Sequence, residues 1–211
     1  MNAPSFAPLR LVVYDRTCTG SGPWPGLTHS WIAGGLLYRL RNQIDLVFGA
    51  ADWTEALTWL ASVQPERRIA EIQYWGHGKW GQLHIDRQTL DERALLANHP
   101  HAALLTRIQK RLVGPQAMLW LRTCETFGAE RGHIFAASLA ERMGCKVAGH
   151  TYIIGPFQSG LHSLAPGQQP AWSTDEGIRE GTAQTPQRAL WSTPWAPHTI
   201  HCLQGKIPSA Y

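Results

Sequence analysis

The strongest constraint on this chain is a repeated alternation of short apolar runs with longer stretches of helical spacing. "LRLVVYD" (9–15), "IDLVFGA" (44–50), "RIAEIQYWG" (68–76), "QAMLWLRT" (116–123) and "CKVAGHTYIIG" (145–155) read as strands. Between them, "SWIAGGLLYRLRNQ" (30–43) has helical spacing through Trp31, Leu36, Leu37 and Leu40. "DWTEALTWLASVQ" (52–64) opens on Asp52, with Glu55 three residues on, a capping box. "TLDERALLAN" (89–98, with Thr89 and Glu92 as capping partners) and "HAALLTRIQKRL" (101–112) read as helices, and "WGQLHID" (80–86) as a small strand. In "GAERGHIFAASLAERMG" (128–144), Ile134, Phe135, Leu139 and Met143 form one stripe and Gly144 ends the helix. Strands separated by helices mean βαβ units, hence an α/β fold with a mainly parallel central sheet and helices on both faces. The pattern dissolves after Gly155, where only "HTIHCL" (198–203) reads as a strand. A single domain over 1–211 is expected, with its core at about 9–155 and an irregular extension over 156–211.

Charge and composition narrow the partners. The net charge is +4, but the 19 Lys and Arg are scattered, unlike the clustered face of a nucleic-acid binder. No apolar run is long enough to span a bilayer, and the N-terminal stretch lacks the charged start and apolar core of a signal peptide. The four cysteines have no CxxC spacing, so free thiols in the cytoplasm are expected. His198, His201 and Cys202 are of ligand type, but on a strand 198 and 201 point to opposite faces, so no metal is expected. "TCTGSG" (17–22) lacks the order of a phosphate-binding loop and reads as a flexible rim. No cofactor is expected.

In an open parallel sheet, sites form beyond the carboxyl ends of the strands. Here the third strand runs into Gly76-His77-Gly78 and the fourth into Cys124. If those strands are neighbours, a thiol and an imidazole share one edge, with backbone N–H groups nearby to hold an oxyanion, which is what catalysis by sulfur needs. His77 is therefore expected to face Cys124, and Gly78 to be glycine so that its N–H can reach a carbonyl.

An apolar strand ending in His77-Gly78, followed 47 positions later (124 − 77) by one ending in Cys124-Glu125-Thr126, resembles the caspase-like (clan CD) cysteine peptidases. The wording after the cysteine is nearest to their bacterial CHAT type. The resemblance covers roughly Leu9 to Gly155. It implies a three-layer sandwich, Cys124 as nucleophile, His77 as general acid/base, and Gly78 and Cys124 N–H groups as oxyanion hole. It also implies a substrate-pocket residue at the end of the first strand. Asp15 would orient His77 or receive a basic side chain, Arg16 or Arg122 would receive an acidic one, and a surface ion pair is the plain alternative. Trp75 and Trp80 flank the histidine and are expected near the cleft, walling a substrate side chain or packing inward. His150 ends the fifth strand and is expected either on the same edge or packed. The expected function is a cysteine endopeptidase cutting a protein or peptide partner. The alternatives are a catalytically silent caspase-like scaffold and a small-molecule-binding α/β protein.

Overall fold

The computed structural model describes residues 6–20, 26–209 and 211; the start of the N-terminal stretch and residues 21 and 22 of the "TCTGSG" loop lie outside that range. The chain runs β1 (Leu9–Asp15), α1 (Leu27–Leu40), β2 (Leu46–Ala50), α2 (Trp53–Ser62) and β3 (Ile69–Trp75). A hairpin unit follows: β4 (His77–Lys79), β5 (Gln82–Ile85) and β6 (Gln88–Leu90). A 3-10 turn (Glu92–Leu95), α3 (Ala102–Arg111), β7 (Met118–Arg122), α4 (Ala129–Met143) and β8 (Lys146–His150) complete the alternation. Beyond it come β9 (Phe157–Gln158), β10 (Leu161–Leu164), β11 (Ile178–Gly181), β12 (Pro186–Ala189) and β13 (Ile200–His201). Among the described residues, no helix is long and apolar enough to cross a membrane.

The central sheet has six strands in the order β10-β8-β7-β3-β1-β2, all parallel except β10. Strand alternation separates its two faces. Leu11, Val13, Ile72, Tyr74, Leu119 and Leu121 pack with α2, α3 and α4 in the main core. Val12 and Trp75 turn the other way onto Tyr38 of α1. Trp120 faces Leu161 and Ile200, so residues far along the chain cover that part of the sheet.

Local chemistry sets the ends. Asp52 accepts from the Glu55 N–H (2.7 Å), and the Glu55 carboxylate takes the Ala51 N–H (2.7 Å), one residue earlier than a strict capping box. Gly144 stops α4 in the left-handed conformation (φ 62°).

Three expectations change. "TLDERALLAN" is not a helix: Thr89 pairs with His84 in the hairpin, and only a 3-10 turn forms, capped by Asp91 through the Arg93 N–H. Burying Leu90 in the hairpin outweighs the capping signal at Thr89. In α4, Phe135, Leu139 and Met143 are buried but Ile134 is 53% exposed, so the stripe excludes it. The segment after 155 is not wholly irregular, since β10 extends the main sheet.

His150, at the carboxyl end of β8, is fully buried, with Nδ1 3.1 Å from the Ser159 carbonyl, and burial pushes its pKa down to about 3. The unfolded chain takes that proton near the ordinary value of 6.5, so acid favours unfolding. Stability from this group is complete above pH 6.5 and is lost as pH falls from about 6.5 towards 3. Comparing denaturant midpoints of the parent and His150→Gln from pH 7 to 4 should show a shallower acid loss in the variant, by roughly 2–3 kcal/mol across that span. Parallel curves would contradict a neutral buried imidazole.

Candidate functional site

β3 and β7 are adjacent and parallel, and Trp75 pairs with Arg122 on their last rung. His77 and Cys124 thus each lie two residues past one rung, at the carboxyl edge of the sheet. The turns beyond that rung are packed on each other. The Trp80 N–H donates to the Glu125 carbonyl (3.2 Å) and the Gly81 N–H to the Thr126 carbonyl (2.8 Å), so the hairpin starting at His77 is laid on the loop holding Cys124. A Cβ on Gly78 would overlap Thr126 Oγ1 and sit 2.8 Å from Thr123 Cβ. Glycine is therefore needed here for the approach of two turns, whatever its N–H does. Glu125, next to the cysteine, has φ 40° and Trp80 has φ 27°, left-handed values that cost side-chain-bearing residues strain and cluster at functional turns.

The two reactive groups are differently placed. Cys124 is largely buried with its sulfur towards the Ile154 carbonyl (3.9 Å), and burial pushes the thiol up to about 11. In this structure it is a neutral thiol at neutral pH. His77 is exposed, and its Nε2 lies 3.4 Å from Cys18 Sγ rather than being paired with Cys124, while Trp31 of α1 meets its ring edge-on at 6.0 Å. Because β3 lies between β7 and β1, the three neighbouring strand ends carry Cys124, His77 and Cys18 in that spatial order.

The other expected site residues do not gather at His77. Asp15 is buried, its carboxylate accepting from Thr17 N–H (2.7 Å) and Oγ1 (2.6 Å) and from the Asp86 N–H (3.4 Å). Arg16 is exposed and pairs with Glu55 of α2 at 3.0 Å, the surface ion pair. Arg122 is buried and its donors are committed to Gln158 Oε1 (2.8 and 3.1 Å), Tyr38 Oη (2.6 Å) and the Cys202 carbonyl (2.7 Å). Its guanidinium lies 4.5 Å from the Trp120 ring centroid, and burial pushes its pKa down. Such a cation is not available to a substrate.

Trp75 and Trp80 are 5% and 7% exposed, so of the two expected roles they take inward packing and do not wall a cleft. Strand alternation turns Trp75 onto Tyr38, and the left-handed backbone at Trp80 swings its indole onto Ala129 and Ala189. Trp31 is the aromatic that reaches the imidazole. Neither Trp31 nor Cys18 was singled out by sequence reasoning for the site. The signal for Cys18 was its position three residues past Asp15, in the loop that follows the strand next to β3.

A family model described as "Domain of unknown function (DUF4347)" matches residues 36–162, more than half of the chain. The chain belongs to the DUF4347 family. In this DUF4347 domain the matched stretch runs from within α1 into β10 and contains His77 and Cys124, whereas Cys18 lies outside it. No curated protein matches the chain. Among solved structures it is similar to one titled "Crystal Structure of TesA", at 14% identity and a TM-score of 0.31, over 65% of this chain and 76% of the other. A likeness that distant informs neither the fold nor the chemistry.

The docking of the hairpin on the cysteine loop makes Gly78→Ala a direct probe. With Thr123 and Thr126 fully buried, neither can move aside freely, and the substitution should cost about 1–3 kcal/mol. Thermal unfolding of the parent and variant measures this, and an unchanged midpoint would mean that the two turns are not in tight contact.

Proposed function

We propose that this chain is a caspase-like cysteine endopeptidase acting on a protein or peptide partner, with Cys124 as nucleophile and His77 as general acid/base. The observation that carries the reading is the shared rung: Trp75 pairs with Arg122, so thiol and imidazole leave adjacent parallel strands in step. The six-stranded, mainly parallel sheet with helices on both faces supports a caspase-like sandwich, and four free thiols suit the cytoplasm.

The chemistry follows from where the protons reside. Cys124 keeps its proton at rest, so attack requires His77 to leave Cys18 and take that proton as sulfur reaches the scissile carbonyl. The oxyanion formed would be held by the N–H groups of Gly78 and Cys124. His77 then protonates the leaving amine, and water hydrolyses the thioester. Glu125, whose pKa burial raises, has a carboxylate oxygen buried without a partner beside the nucleophile.

One observation favours a second reading, a silent caspase-like module that binds a partner. The resting thiol is neutral and the imidazole engages a different sulfur.

Turnover of fluorogenic peptide pools by single and double variants separates the two. Cys124→Ala and His77→Ala should each lower hydrolysis by at least about a hundredfold, and the double variant no further, because nucleophile and base act as a unit. Cys145→Ala, in the core, should retain activity while losing about 1 kcal/mol of stability. No hydrolysis by the parent would remove the peptidase reading and leave the binding module, and hydrolysis that persists in Cys124→Ala would rule out Cys124 as its nucleophile.

A further inference from the structure

His77 Nε2 and Cys18 Sγ are 3.4 Å apart, and the approach is built rather than incidental. The loop after β1 is fixed from both sides of the cysteine. Asp15 Oδ1 accepts from Thr17 N–H and Oγ1, and the Thr28 N–H at the start of α1 donates to the Cys18 carbonyl (3.1 Å). The Gly26 N–H donates to the Thr19 carbonyl (3.0 Å). Across the gap, Trp31 meets the imidazole edge-on with ring centroids 6.0 Å apart. The pair is open to solvent, with Cys18 half-buried and His77 exposed.

The other thiols differ. Cys145 is fully buried in the core. Cys124 turns its sulfur to a carbonyl. Cys202 lies 3.8 Å from Nδ1 of His201, its own chain neighbour, at an exposed turn.

We propose that Cys18 and His77 form a second nucleophilic pair, a site at which hydroperoxides oxidise Cys18. The thiol gives its proton to Nε2 as sulfur attacks the terminal oxygen of the peroxide. The S–O bond forms, the O–O bond breaks, and the departing hydroxide takes the proton back from His77. A thiol and hydrogen peroxide become a sulfenic acid and water, the sulfur oxidised by two electrons and the peroxide reduced by two. The imidazole thus serves as base and then as acid for a leaving group that is poor without a proton. A sulfenic acid at this position still occupies Nε2, so on the peptidase reading oxidation would also withhold His77 from Cys124.

The site is tested without any peptide substrate. The full chain is treated at neutral pH with one equivalent of hydrogen peroxide in the presence of dimedone, which traps sulfenic acid, and adducts are located by peptide mapping. Cys18 should carry the adduct at least about tenfold over Cys124, Cys145 and Cys202, and His77→Gln should lower Cys18 labelling about tenfold while leaving Cys202 unchanged. Trapping first at Cys124 or Cys202, or equal Cys18 labelling in His77→Gln, overturns the proposal. Labelling of Cys145 would report that the variant has unfolded, and the ranking in the parent protein then decides alone. Failure here leaves the peptidase reading standing, since that rests on hydrolysis by Cys124.

Discussion

The buried guanidinium of Arg122 ties the rest of the structure to the carboxyl edge of the sheet. A buried cation is tolerated only when its donors are satisfied, and here the acceptors come from three separated stretches: Tyr38 in α1, Gln158 in β9 and the Cys202 carbonyl near the end of the chain. Trp120, Trp75 and Tyr38 supply aromatic faces at 4.5, 5.7 and 5.5 Å. One side chain thereby holds α1, β9 and the turn at Cys202 against the sheet at the rung where β7 ends. Immediately past it the chain turns through Thr123 and Cys124. The position of the candidate nucleophile is inherited from that anchor.

The parallel core was legible because it rests on period-two and helical apolar patterning, which the sequence displays without help from distant residues. The ends of β3 and β7 were legible for the same reason, and with them the placing of His77 and Cys124 on one edge. The roles of single side chains on that edge were not. Whether Arg122 faces a ligand or an interior depends on Gln158 and Cys202, 36 and 80 positions away. Trp75 and Trp80 flank the histidine in sequence, yet alternation and a left-handed backbone turn both inward. Residues 156–164 offered weak patterning because β10 is a short edge strand, with His162 and Ser163 between its leucines.

On the proposed function, one imidazole between two strand ends bearing thiols would give the edge two states. With Nε2 on Cys18, Cys124 remains a neutral thiol against Ile154. With His77 turned towards β7, the proposed mechanism would have the same ring take the Cys124 proton. A substrate lying across the edge would favour the second state only through contacts absent from the first. Differential binding of that kind, rather than a pre-formed ion pair, is the activation the proposed peptidase would require.

The central claim is that His77 serves Cys124 when the cleft is filled. The most direct measurement is a crystal structure of the chain after reaction with a peptidyl acyloxymethyl ketone, an electrophile that must lie in the cleft like a peptide. The account predicts a thioether on Cys124, with the His77 imidazole released from Cys18 and within hydrogen-bond reach of the adduct. A thioether on Cys18 instead, or a Cys124 adduct with His77 still held on Cys18, would contradict it.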